Sequence, residues 1–195
     1  METHRSVLFD VVDGVAWITL NRRAALNAVD GLMAAELREA WECLGTTPGV
    51  RAAVVIGAGA EAFSLGLDRS HGALPAPADS LEPPPLAVPL VAAVNGIACA
   101  EAYGLVCRAD RAVAARHARL SRARPALPQR GRGRTMMSAR EARLARIVDT
   151  VVPLPLLRQE ADAVARRLAL TPAPDEMTPS HPAGDGARPA APSVG

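Results

Sequence analysis

The stretch SVLFDVVDGVAWITLNRRAALNA, residues 6–28, decides how the chain is read. Residues 6–12 and 15–20 are short, β-branched and apolar, with Asp13-Gly14 between them. An Asp-Gly pair joining two such runs marks a two-residue hairpin, because both turn positions require positive φ. Downstream the period changes. Leu32, Met33, Leu37, Ala40, Trp41 and Leu44 recur at spacings of three and four, while Glu36, Arg38, Glu39 and Glu42 fall mostly on the other face. The spacing predicts an amphipathic helix over 30–44 with Asp30 as its N-cap.

Residues 51–56 and 90–94 read as strands apolar on both faces, as expected of a covered sheet. Gly57-Ala58-Gly59 ends the first and Asn95-Gly96 the second. A helix of small residues is expected from near Ala100 to about Cys107, and a short strand at 111–115. Periodicity fails from 116 to 134. A helix at 141–146, a strand at 147–152 and an amphipathic helix at 156–170 follow. Strands alternating with helices across short turns favour an α/β domain of repeated ββα turns. Residues 72–89, rich in Pro, Ala and Gly, read as a mobile surface loop. From Thr171 onward six prolines in 25 residues predict a disordered Pro/Ala-rich tail, 171–195, behind one domain, 1–170.

At 195 residues the chain suits one domain of ordinary size. Aromatics are only 3%, so a core must be built from Ala, Val, Leu and Ile. Composition excludes collagen-like, coiled-coil and disulfide-scaffold classes. Cys43, Cys99 and Cys107 lack metal-ligand spacing and read as small buried side chains in a reducing compartment. No signal peptide and no membrane-spanning run is visible, so a cytoplasmic protein with no membrane partner is expected. The net charge of +2 implies no nucleic-acid partner. All 22 basic residues are arginine, and ten fall between Arg116 and Arg146, where Glu141 is the only acid. A solvated basic face is the first reading of that cluster and contact with phosphates the second. Nucleic acid is a distant third, because no aromatics are interleaved for base stacking.

Two segments share one design. Val54-Val55-Ile56 leads to Gly66-Leu67, and Val91-Ala92-Ala93-Val94 leads through Gly96 to Glu101. Such turns present backbone N–H groups, and a helix dipole adds to their pull on an anionic oxygen. Two donors converging on one point would form an oxyanion hole. Spacing alone favours ordinary strand-to-helix turns, which are common in α/β folds. Acid–base candidates are Asp68, His71, Glu101 and Tyr103. Composition statistics favour an N-cap role for Asp68, a helix-start role for Glu101 and a solvated role for His71. No metal-ligand set, phosphate loop or nucleophile elbow is present.

Four ordered stretches resemble the crotonase superfamily, the enoyl-CoA hydratase/isomerase proteins. VAWITLNRRAALNA (15–28) resembles the first motif, and Val50-Arg51 through FSLGLD (63–68) the second. PLVAAVNGIA (89–98), running on to Asp110, is similar to the third, and MSAREA (137–142) through Val151-Val152-Pro153 to the fourth. Order and spacing agree over roughly residues 7–168. The resemblance implies a crotonase-like spiral of ββα turns that binds an acyl-CoA thioester, with coenzyme A part of the substrate and no further cofactor or metal. It implies an oxyanion hole from the N–H groups of Leu67 and Glu101, and an adenine pocket along Arg22, Arg23, Ala24, Leu26 and Ala28. Fatty acid metabolism and a homo-oligomer, a trimer in the family pattern, are implied with it.

The sequence departs from that pattern where the hydratases carry two glutamates. Gly104 stands at the first position and Arg124 at the second. Neither serves as a general acid or base at neutral pH. The glycine-rich start of the third-motif helix is here Ala100-Glu101-Ala102, and the C-terminal helices that usually support the trimer give way to the Pro-rich tail. Two readings follow. One is a divergent lyase, isomerase or hydrolase on an acyl-CoA thioester, with Asp68, Glu101 and Tyr103 as catalytic candidates. The other is a catalytically inactive homologue retained as a binding or assembly subunit.

Overall fold

The computed structural model describes residues 5–68, 81–123 and 136–170. His71, Arg124, residues 72–80 of the expected 72–89 loop and the tail from Thr171 lie outside these residues. The strands in chain order are β1 (Val7–Val12), β2 (Val15–Leu20), β3 (Ala52–Gly57), β4 (Ala62–Ser64), β5 (Leu90–Val94), β6 (Ile97–Cys99), β7 (Arg111–Ala115), β8 (Arg119–Ser121), β9 (Met137–Ser138) and β10 (Thr150–Val152). The helices are α1 (Gly31–Thr46), α2 (Glu101–Arg108), α3 (Ala139–Leu144) and α4 (Leu154–Ala169).

A large sheet has the order β1-β2-β3-β5-β7-β10 and a small one the order β4-β6-β8-β9. The β1–β2 hairpin is antiparallel and turns at Asp13 and Gly14, with φ of 50° and 82° as the Asp-Gly signal requires. β2, β3, β5, β7 and β10 run parallel. Alternation sorts their side chains onto two buried faces. Ala16, Ile18, Leu20, Ala53, Val55, Ala92, Val94, Ala112 and Ala114 face a core shared with α1, α2 and the small sheet. Trp17, Val54, Val91, Ala93, Val113 and Ala115 face Leu157, Ala161, Val164 and Ala165 of α4. Covering on both sides explains strands apolar at every position.

The chain repeatedly crosses from the large sheet to the small one, β3 to β4, β5 to β6 and β7 to β8, and β4, β6 and β8 stack in parallel. This is the expected spiral of ββα turns. The corners of successive crossings touch. Ile97 N–H donates to Glu61 O at 2.9 Å, and His117 Nε2 lies 2.8 Å from Ala60 O. A Cβ on Gly96 would strike the Glu61 carbonyl, so only glycine fits that corner. Two buried asparagines hold the corner after β3. Asn95 accepts from Gly57 N–H at 3.0 Å and donates to Gly59 O and Ala62 O, while Asn27 donates to Ala58 O and Ala62 O.

Asp30 caps α1 as expected, accepting from Met33 N–H at 2.9 Å. Three expectations shift. The helix expected at 141–146 occupies Ala139–Leu144, because Ser138 and Glu141 form a reciprocal capping box and Arg146 takes a positive φ of 58°. The strand expected at 147–152 shortens to Thr150–Val152, since Ile147 N–H is tied back to Ala142 O. The last helix begins at Leu154 rather than 156, because Pro155 in the first turn removes only a donor that has no intrahelical partner. The cysteine reading also needs correction. Cys99 is buried, but Cys43 and Cys107 lie on the outer faces of α1 and α2 and are exposed. No described helix is long and apolar enough to cross a membrane.

Candidate functional site

The small sheet brings the two donor turns together. β4 and β6 are parallel neighbours, so the chain leaving β4 toward Leu67 and the chain leaving β6 toward Glu101 emerge side by side. Gly66, at φ +83°, turns the first segment, and its N–H donates to the buried Ser64 hydroxyl at 3.0 Å. Ala100, at φ 52° and ψ −118°, turns the second, with its N–H on Ser121 O at 3.0 Å. Leu67 and Glu101, the donor pair that the family resemblance implies, are thus neighbours.

The contact between them is specific. Leu67 N–H donates to the Glu101 carboxylate, Oε2, at 3.1 Å. The same oxygen lies where a Cβ on Gly66 would stand, so the bare Cα makes the space that the carboxylate fills. An anionic oxygen therefore sits on one of the two amides expected to hold a thioester oxygen. Glu101 is the first residue of α2, at the positive end of the helix dipole.

Asp68 is placed differently from a free acid. Its carboxylate receives Arg22 Nη1 at 2.7 Å, and its N–H donates to Val29 O. Arg22 also reaches Ala28 O at 2.9 Å and Asp30 at 3.0 Å. Val29 and Leu67 form a parallel bridge, so residues 22–30 lie directly behind the first donor turn. Of the adenine-pocket positions, Arg22 is engaged with these internal acceptors and Ala28 is buried. Leu26 is half-buried in the left-handed region, and Arg23 and Ala24 are exposed. Arg23 lies across Gly59.

Tyr103 packs in the core on α2, with the Arg122 guanidinium 5.9 Å from its ring centre. A hydrogen bond to Tyr103 and its charge raise the Arg122 pKa above the ordinary arginine value. Gly104 faces open space, the nearest atom to an added Cβ being Arg108 Nη1 at 4.0 Å. The sequence reading takes Gly66 only as part of the first donor turn and Arg122 only as a member of the Arg116–Arg146 cluster. Arg122 reaches the site because β8, three residues long in a stretch without period, ends on the same edge as β4 and β6. The cluster arginines 116, 119, 122, 140, 143 and 146 are all exposed, in keeping with a solvated basic face.

Ala100 occupies a conformation that favours glycine. A side chain there carries strain of about 1 kcal/mol or more. Ala100→Gly is expected to raise Tm by roughly 2–4 °C, the shift about 1 kcal/mol gives in a chain of this size. Thermal melts would check it, and a lowered Tm would contradict the strain assignment.

Comparison with known proteins agrees with this architecture. A family described as enoyl-CoA hydratase/isomerase matches residues 10–127. An (E)-benzylidenesuccinyl-CoA hydratase of Thauera aromatica is 30% identical over 125 residues, 58% of this chain and 48% of the relative. The chain spans about half the length of that curated relative. An enoyl-CoA hydratase/isomerase of Mycobacterium paratuberculosis superposes with a TM-score of 0.71 at 26% identity, over 85% of this chain and 77% of its own. A carnitinyl-CoA dehydratase of Mycobacterium avium 104 gives 0.71 at 25% identity, over 86% and 77%. The stacked ββα turns, the motif order and these matches together show that the chain belongs to the enoyl-CoA hydratase/isomerase family of the crotonase superfamily.

Proposed function

We propose that this chain binds an acyl-CoA thioester at the edge of the small sheet where Leu67 meets Glu101, and that it is not an ordinary hydratase. The observation that carries the reading is the Leu67 N–H already holding an anionic oxygen, 3.1 Å from Glu101 Oε2. An amide that binds a carboxylate oxygen is suited to a thioester oxygen carrying developing negative charge. Family membership and the CoA thioesters named for its relatives support the ligand class.

The hydration chemistry lacks its groups. Hydration of an enoyl thioester needs a base to activate water and an acid to protonate the α-carbon. Gly104 offers no side chain at the first glutamate position, and Arg124 stands at the second. Asp68 is committed to Arg22, and Tyr103 is packed in the core. Glu101 is the one candidate acid on the donor turn itself. A second reading, an inactive binding or assembly subunit, is favoured by that same side chain, since its carboxylate lies on the amide that a substrate would use.

Calorimetry at low salt with acetyl-CoA and with free CoA tests the binding claim. Measurable heat and a thermal shift are expected; neither at millimolar ligand would refute it. Crotonyl-CoA is expected to persist when incubated with the protein. Disappearance of its enoyl absorbance at an enzymatic rate would overturn the statement on hydration.

A further inference from the structure

We propose that Glu101 is an internal competitor for the acyl-binding position, so that a thioester oxygen gains Leu67 N–H only by displacing the chain's own carboxylate. The inference rests on the acyl-CoA reading above and adds to it the residue that controls access.

Three features build the contact. Glu101 Oε2 accepts from Leu67 N–H at 3.1 Å. Gly66, lacking a Cβ, leaves the room that this oxygen takes. Ala100, with its positive φ, turns the chain at the start of α2 and places Glu101 at its first position, beside Leu67. A carboxylate oxygen and the oxygen of an enolising thioester make the same demand on an amide. Each is an anionic acceptor, and a hydrogen bond to a charged acceptor is stronger than one between neutral groups. A ground-state thioester carbonyl is a neutral acceptor. It is therefore at a disadvantage against Glu101 wherever both reach for one N–H.

The direction of the effect separates this role from capping. A residue that only supports the helix start loses stability when truncated and gives nothing to ligand binding. A competitor, when truncated, no longer occupies the amide and so tightens the acyl ligand. Free CoA carries no acyl carbonyl, so its affinity reports the rest of the site alone.

The test compares wild-type protein with Glu101→Ala and Glu101→Gln, each first shown folded by circular dichroism melting. Acetyl-CoA is expected to bind Glu101→Ala at least about tenfold tighter than wild type, with free CoA unchanged. Glu101→Gln, which keeps an acceptor oxygen without the charge, should fall between. A second readout needs no ligand. The Leu67 amide proton should move upfield in ¹H–¹⁵N spectra of Glu101→Ala, and acetyl-CoA should move it back. A Leu67 resonance that stays in place in Glu101→Ala overturns the proposal whatever CoA does. Acetyl-CoA affinity unchanged or weaker in the folded variant, while CoA still binds, overturns it and leaves the acyl-CoA reading standing. Failure of both proteins to bind either compound, with the resonance shifted, overturns the acyl-CoA reading and the competition with it.

Discussion

Asn95→Leu is expected to destabilise the chain by about 3–5 kcal/mol, a large fraction of the stability of an ordinary domain. Asn95 is 1% exposed, and its amide makes three bonds to backbone. Oδ1 receives Gly57 N–H at 3.0 Å, while Nδ2 gives to Gly59 O at 2.9 Å and to Ala62 O at 3.0 Å. Leucine matches the volume and none of the polarity. Ala62 O keeps a partner in Asn27 Nδ2 at 2.8 Å, so two backbone groups, Gly57 N–H and Gly59 O, lose this partner. A buried polar group left unsatisfied costs about 1–3 kcal/mol, and the lost bonds add to that. The damage is also directional. Residues 57–62 carry the chain from β3 into β4, and β4 leads to Leu67, so loosening this corner moves the donor turn. Urea denaturation gives the stability change. A loss under 1 kcal/mol would show that the corner is held by packing rather than by the asparagine. Glu101→Ala supplies a reference for a change at the site itself, since its truncated side chain leaves the corner untouched.

The large sheet was legible because its strands are long enough to show composition. β2 and β5 are apolar runs bounded by Asp13-Gly14, Asn95-Gly96 and the pattern change into α1, and the structure places them within a residue of expectation. The small sheet was not. β4, β6, β8 and β9 have two or three residues each, too few for alternation to register, and they are set by pairing with neighbouring turns of the spiral rather than by local propensity. The exposure of Cys43 could have been read from sequence, since it falls outside the stripe of Leu37, Ala40, Trp41 and Leu44. At the site, the pairing of Leu67 with Glu101 was implied by the family resemblance and not by local spacing, which favours ordinary strand-to-helix turns. The direction of the Glu101 side chain was legible in neither. It depends on the bare Gly66 across the gap, 35 positions earlier. Asp68 and Arg22 were singled out separately, one as an acid and one as a ligand contact. Their pairing joins residues 46 apart in sequence, a relation no local pattern reports.

Arg22→Met is expected to lower stability by about 2–3 kcal/mol and to change CoA affinity far less than stability. The guanidinium donates to Asp68 at 2.7 Å and to Ala28 O at 2.9 Å, and forms an ion pair with Asp30 at 3.0 Å. The side chains of Arg22, Asp68 and Asp30 retain 24%, 13% and 30% of their exposure, so the network lies between a surface pair worth little and a buried one whose rupture costs about 3–5 kcal/mol. Methionine keeps the hydrocarbon stem and removes the charge that joins the Asp68 and Asp30 carboxylates. Asp30 loses a partner while still capping α1 through Met33 N–H, so the start of that helix should loosen too. Pairing Arg22→Met with Asp68→Asn in a double-mutant cycle should give a coupling of about 1–2 kcal/mol, because each substitution already removes what the other would. The two roles open to Arg22 then separate. An arginine that holds ligand phosphates would, when replaced, weaken free CoA and acetyl-CoA sharply and leave the unfolding midpoint nearly unchanged. An arginine that ties residues 22–30 to the turn behind Leu67 shifts the midpoint first, and affects binding only through the position of that turn. With Nη1 already directed at Asp68 and Ala28 O and the guanidinium charge paired with Asp30, the geometry expects the second pattern, and a large affinity loss at constant stability would reverse the assignment.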